Sequence, residues 1–326
     1  MKRQSIWLTT IFLACCSCAD TQQPAKETPR VGFIVAAGNP SSIRLDAFRL
    51  GLRDLGYVEG KNILIERRYA DGRLDRMPEL VNDLVQQEVD LIVAPNNVAI
   101  RAARKATKSI PIVMVSSIDP VEAGYVKTFS HPGGNMTGLT SMNRDLSAKR
   151  VELLRELLPK ISRVSVLWDA DGPGPAVAFR KYKAAAHAFK LDMRSLEVRG
   201  PKPDFEKAFE GSKAARAEAL IVVGNPLISQ HAKQVFELAI KNRLASMTEE
   251  GQFVDAGGLI SYGANVAHLY GPAAADGDKI LKSATPAELP VEEPNKLELI
   301  INLKTAKKIG VTIPRNVLGR ADRVIR

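Results

Sequence analysis

Cysteine is nearly missing from this chain: three occur, Cys15, Cys16 and Cys18, and none follows them. A disulfide framework, a thiolate metal site and a catalytic cysteine are therefore excluded from the body of the protein. Histidine is scarce too. His131, His187, His231 and His268 are scattered, and no two form an H-x-x-x-H pair of the kind that holds zinc on a helix face. Long apolar runs are absent; the longest, Ile6 to Ala14, falls well short of the ~20 residues of a spanning helix. Phosphate-cradling glycine patterns are lacking as well. Gly38-Asn39-Pro40-Ser41-Ser42-Ile43 keeps only the first glycine of a dinucleotide fingerprint, and neither a G-x-x-x-x-G-K-[ST] loop nor a G-x-S-x-G elbow occurs. The expectation is no catalytic set, no metal and no cofactor.

The charge balance is lopsided, with 46 Lys plus Arg against 36 Asp plus Glu, a net +10. The positives sit in mixed-sign helical stretches, such as Lys149-Arg150 with Glu152, which read as solvated faces. The basic C-terminal stretch has no interleaved aromatics, so no nucleic-acid partner is expected. The rest of the composition, 45% hydrophobic and 25% charged over 326 residues, is that of a soluble globular protein of about two domains.

Residues 1–18 read as an export leader: Lys2 and Arg3, an apolar core from Ile6 to Ala14, then small residues. Leu13-Ala14-Cys15-Cys16 resembles a lipobox, with Cys16 the first choice for acylation and Cys15 or Cys18 the alternatives. A plain cleaved signal peptide is the other reading. Lipidation would tether the chain to the envelope rather than make it span. Residues 19–28 are polar and read as the tether.

From Arg30 onward, short apolar runs alternate with helical periodicity. Val31 to Ala37, Asn62 to Glu66, Val89 to Ala94 and Ile110 to Val115 read as strands. Helices are predicted up to about Leu55, over Pro78 to Gln87 and over Val98 to Thr107. That alternation predicts an α/β fold with parallel sheets covered by helices. The pattern then restarts. Arg163 to Trp168 echoes Arg30 to Val35, Leu220 to Val223 echoes Leu91 to Ala94, and Leu244 to Met247 takes the place of Ile110 to Val113, at offsets of 133, 129 and 134. Two similar halves are implied. Pro132 to Gly138 has loop chemistry suited to a crossover between them. A strand around Ala256 to Gly263, a helix from about Val266 to Leu281, a strand from Leu297 to Leu303 and a short helix at Thr305 to Lys308 are left over, as a chain crossing more than once requires.

In open parallel sheets, ligands sit beyond the carboxyl ends of the strands, where loops meet helix N-termini. That rule selects Asn39, Ser41, Asn96, Asn97, Ser116, Ser117, Asp119, Asp169, Asn225, Glu249 and Glu250 as candidate ligand-binding residues, with Tyr262 able either to stack on a ligand or to pack at a hinge. Each has a plainer role available. Asn and Ser after a strand usually cap the next helix. As a set they supply hydrogen bonds and carboxylates for an ammonium, and no nucleophile–base pair.

Several longer stretches resemble a known family: Ala47 to Gly60, Asp119 to Gly124, Pro132 to Gly138, Arg150 to Pro159, Phe253 to Gly263 and Leu299 to Ala306. In this order they resemble bacterial ABC-transporter substrate-binding proteins of the group that includes TrpX-like aromatic-amino-acid binders. The resemblance implies a type I periplasmic-binding-protein fold, two Rossmann-like lobes joined by a multi-strand hinge. By analogy, lobe 1 is 29–140 plus 256–288 and lobe 2 is 141–255 plus 289–326. It implies a monomeric, extracytoplasmic, lipid-anchored receptor that shuts on a small polar or zwitterionic ligand, with amino acids as one class, and hands it to an ABC permease. Pro95-Asn96-Asn97 and Trp168-Asp169-Ala170-Asp171 depart from the family's usual turns, so no particular amino acid carries over. The alternatives are a ligand-sensing receptor feeding a sensor kinase and an exported α/β hydrolase or isomerase.

Overall fold

A computed structural model of the chain describes residues 28–36, 43–143, 146–200, 202–294 and 296–326. The leader, its three cysteines, Asn39 and Ser41 lie outside the described residues.

The first half runs β1 (Arg30–Val35), α1 (Ile43–Asp54), β2 (Leu64–Tyr69), α2 (Met77–Gln86), β3 (Leu91–Ala94), α3 (Asn97–Ala106), β4 (Ile112–Ser116) and β5 (Met136–Thr140). The second runs α4 (Ser147–Leu157), β6 (Arg163–Asp169), α5 (Pro173–Ala188), β7 (Asp192–Val198), α6 (Phe205–Ala214), β8 (Ala219–Val222), α7 (Pro226–Gln230), α8 (Ala232–Lys241), β9 (Ala245–Thr248), α9 (Gly251–Asp255) and β10 (Ile260–Ala264). A 3-10 turn at Val266–Leu269 leads into α10 (Tyr270–Leu281), then β11 (Leu297–Asn302), α11 (Leu303–Ile309), α12 (Arg315–Leu318) and β12 (Arg323–Ile325).

Two sheets result, ordered β2-β1-β3-β4-β5 and β12-β11-β10-β9-β8-β6-β7. The first is parallel throughout; the second is parallel except where β10 meets β11. The order β7-β6-β8-β9-β10 repeats β2-β1-β3-β4-β5, the repeat that the strand offsets predict. β1 shows why these runs are continuous rather than alternating. Val31, Phe33 and Val35 pack under α1 and α10, while Ile34 packs under α2 and α3. A strand buried on both faces has no solvent side to mark. The second sheet is likewise a middle layer, with α4, α5, α11 and α12 on one face and α6 to α9 on the other.

The chain passes between the two bodies three times: after β5, after β10, and before β11. Three sequence-based boundaries shift accordingly. Pro132 to Gly138 is not wholly a crossover, because Met136–Thr140 is a fully buried strand paired with β4. Its glycine explains the loop-like signal. Gly138 has φ +126°, and a Cβ there would lie 2.2 Å from the Met114 carbonyl oxygen. Residues 256–264, expected in lobe 1, belong to the second sheet, where β10 pairs with β9 and β11. Residues 289–292, expected in lobe 2, stay beside β5: Thr140 N donates to Glu292 O (2.9 Å) and Glu292 N to Gly138 O (3.0 Å). α10 between them packs on α1 and so belongs to the first body.

Candidate ligand-binding cleft

The carboxyl ends of both sheets face one another across a cavity with about 710 Å³ of empty space, its opening to solvent included. The first body contributes Arg44, Asn96, Asn97, Ser116, Ser117 and Ser141. The second contributes Gly172 to Pro175 in part, Gly224, Asn225, Glu249 and Glu250, and Val266 comes from a crossing segment. Parallel strands place their following loops at one edge, so topology alone gathers residues 206 positions apart, Arg44 and Glu250 among them.

On the first body, Asn96 caps α3: its Oδ1 accepts from Val98 N and Ala99 N, both at 3.0 Å. Capping fixes the turn that presents Asn97. Asn97 Nδ2 donates to Ser117 Oγ (2.9 Å) and Ser116 Oγ donates to Asn97 Oδ1 (3.0 Å). Asn96 Nδ2 is buried and has no partner among the described residues.

On the second body, Asn225 caps α7 through Ile228 N (2.9 Å) and donates from Nδ2 to Asp169 Oδ2 (2.6 Å). Burial pushes the Asp169 carboxyl above the ordinary aspartate range, against the hydrogen bonds from Asp171 N and Asn225. Glu249 is 1% exposed. Its Oε2 accepts from Gly224 N (3.1 Å), its Oε1 accepts from the Tyr182 hydroxyl (3.4 Å), and Arg150 Nη1 lies 3.6 Å away. Glu250 Oε2 accepts from Arg44 Nη2 (3.2 Å) and Gln252 Nε2 (2.7 Å). Burial works against the Arg44 charge, but Glu250 and the nearby Tyr270 together outweigh it and hold that guanidinium above arginine's usual pKa. Contacts across the cleft extend beyond this pair: Lys181 reaches Glu122 (3.8 Å), and the Gln230 amide lies where a Gly72 side chain would stand.

Asn96, Asn97, Ser116, Ser117, Asn225, Glu249 and Glu250 are thus brought to one cavity, and three other candidates are not. Asp119 caps the turn at Val121 and Glu122 (2.7 and 3.0 Å) and does not line the cavity. Asp169 stands behind it, orienting Asn225 and lining an adjoining groove. Tyr262 packs into the second body's core, and its carbonyl accepts from Arg150 Nε (2.6 Å).

Two arginines escaped the sequence reading. Arg150, taken for part of a solvated mixed-sign face, is fully buried. The signal was its place on the stripe Ser147, Arg150, Val151, Leu154 and Leu157, the apolar spacing of α4. Arg44 occupies the first turn of α1, where a cation opposes the helix dipole and so needs a partner.

Residues 34–325 match the family model described as ABC transporter substrate binding protein. The chain belongs to this family. A curated relative of this substrate-binding protein, the tyrosine-binding protein of Clostridioides difficile, is 28% identical over 303 residues, covering 88% of this chain and 82% of the relative. Among solved structures, a conserved domain protein from Vibrio cholerae superposes with a TM-score of 0.84 at 25% identity, over 91% of this chain and 100% of that one. An ABC domain in complex with L-Trp from Streptococcus pneumoniae gives a TM-score of 0.81 at 24% identity, with the same coverage. Members of this family bind ligands, and no helix among the described residues is long and apolar enough to cross a membrane.

Proposed function

We propose that this substrate-binding protein captures a small zwitterionic solute, an α-amino acid, in the cleft between its lobes and delivers it to an ABC permease. It works outside the cytoplasm as a monomer, held to the envelope by a lipid on Cys16, and it does not alter its cargo. The observation that carries this reading is a small-molecule cavity walled by polar side chains from both sheets. A ligand bridging them gains contacts that a parted pair of lobes cannot offer, which favours closure.

The charge inventory supports a zwitterion. Two carboxylates, Glu249 and Glu250, are matched by two guanidiniums, Arg150 and Arg44. A net-neutral ligand leaves that balance undisturbed, whereas a net anion or cation adds an uncompensated charge to a poorly solvated site. The unpaired Asn96 Nδ2, at the start of α3, suits a carboxylate oxygen, and the paired acids of the second body suit an ammonium. The relatives named for tyrosine and complexed with L-Trp put those two amino acids first in a test.

A thermal-shift screen over amino acids, sugars, nucleosides and small acids tests the reading. A ligand at a hundred times its Kd adds about 2.7 kcal/mol to native stability. An amino acid raises the melting temperature, and Asn97→Ala removes most of that rise. A response confined to sugars or anions, or chemical conversion of the bound amino acid, refutes it.

A further inference from the structure

The neighbouring carboxylates Glu249 and Glu250 are neutralised in different ways. Arg150, beside Glu249, comes from α4 of the same lobe, so that pair persists whatever the lobes do. Arg44, bonded to Glu250, comes from α1 of the other lobe, so that pair exists only while the cleft is shut. Arg44 and Glu250 are 23% and 15% exposed, more covered than a surface bridge yet still within reach of salt. The Lys181–Glu122 contact, also across the cleft, is 30% and 70% exposed and belongs to that weaker class.

Position adds a second reason. Arg44 and Glu250 line the ligand cavity on one side and, on the other, a charged groove formed with Asn265, Lys296, Asp255 and Arg323. They form part of the wall between the two spaces. Arg44 also stands at the positive end of α1, where separation from Glu250 leaves it facing the helix dipole.

We propose that Arg44 and Glu250 form an electrostatic latch across the cleft, which favours the shut state independently of the cargo and slows its release. This rests on the two-lobed receptor reading above. The latch shifts the equilibrium because it touches one state and not the other.

Small-angle X-ray scattering of the ligand-free full chain tests it. The radius of gyration is compared between about 0.01 M and about 1 M salt, over which the screening length falls from about 30 Å to about 3 Å. The wild type is more compact at low salt. Arg44→Met and Glu250→Gln each lower the shut population about two- to fivefold there and flatten the salt response. Joining Arg44→Glu to Glu250→Arg restores part of the compaction that each reversal alone abolishes, which a loss of folding would not. Equal radii for wild type and variants at both salts overturn the latch. Contraction by L-tyrosine or L-tryptophan that is identical in all variants overturns the latch and keeps the receptor. A pair-controlled salt response with no contraction by any amino acid keeps the latch and overturns the ligand class.

Discussion

Arg150→Met removes one of the largest fully buried side chains among the described residues and leaves Glu249 without its cation. Arg150 donates to Tyr262 O (2.6 Å), to Asn143 Oδ1 (3.3 Å) and its carbonyl, and to the Tyr182 hydroxyl (3.2 Å). It therefore joins the first crossing segment and the middle of β10 to a carboxylate lining the cleft. Breaking one side of a buried pair costs about 3–5 kcal/mol, because the remaining charge is desolvated and uncompensated. At about 2–4 °C per kcal/mol for a lobe of this size, the melting midpoint falls by about 6–20 °C. Trp168 reports it directly. It is the one tryptophan among the described residues, it stacks on Phe179 with centroids 4.6 Å apart, and it shares a core with Tyr182. Adding Glu249→Gln to Arg150→Met removes the stranded charge and keeps an oxygen for Gly224 N. The double variant therefore recovers at least about 1 kcal/mol relative to the sum of the single losses. Should Arg150→Met melt within about 1 kcal/mol of wild type, or the two losses simply add, the buried pair is not what joins hinge and cleft.

Two further substitutions probe the cleft's rear wall and the β4–β5 pairing. Asp169 has a folded pKa raised by burial, so the folded state holds that proton more tightly than the unfolded chain. Its contribution to stability is fully present below the ordinary aspartate value near 3.9 and is lost as pH rises through the raised one. Asp169→Asn, which cannot titrate, therefore gains on the wild type as pH rises from about 4 to neutrality. Urea midpoints at both pH values check this, and a flat difference contradicts it. Gly138→Ala places a methyl against the Met114 carbonyl at a φ of +126°. It lowers the urea midpoint by the equivalent of about 1–3 kcal/mol from backbone strain alone; an unchanged midpoint would mean that β5 shifts freely against β4.

The fold was legible where burial imposes a plain composition. Val31 to Val35, Leu91 to Ala94 and Leu220 to Val223 are covered on both faces, so they read as unbroken apolar runs, and their common offset exposed the repeated half. It was illegible where one residue type serves two ends. Gly138 and Thr137 look like loop chemistry, yet Thr137 is buried with its hydroxyl donating to Leu289 O (2.6 Å), and Gly138 lets β5 approach β4. The sequence does not tell which body β10 joins, because glycines on both sides mark where a strand stops, not which sheet it enters. Its partners β9 and β11 lie before and after it in the chain, and the antiparallel pairing with β11 leaves no signature in the strand itself.

The cleft was legible for a topological reason and partly hidden for an electrostatic one. Strand-end loops must converge in a parallel sheet, so naming them sufficed to find Asn96, Asn97, Ser116, Ser117, Asn225, Glu249 and Glu250. Their work within the cleft could not be read the same way. An aspartate such as Asp119 that caps a turn and one such as Asp169 that steadies an asparagine look identical in a string of letters. The cations that make the acidic pair tolerable lie 99 and 206 residues away from their partners, one of them in a helical stretch whose mixed charges read as a solvated face. The covering of Arg150, and of most of Arg44, is the larger correction, because each cation then compensates a different one of the two adjacent acids. One compensation is permanent and one depends on the lobes being shut, and that asymmetry lets a neutral cavity respond to closure.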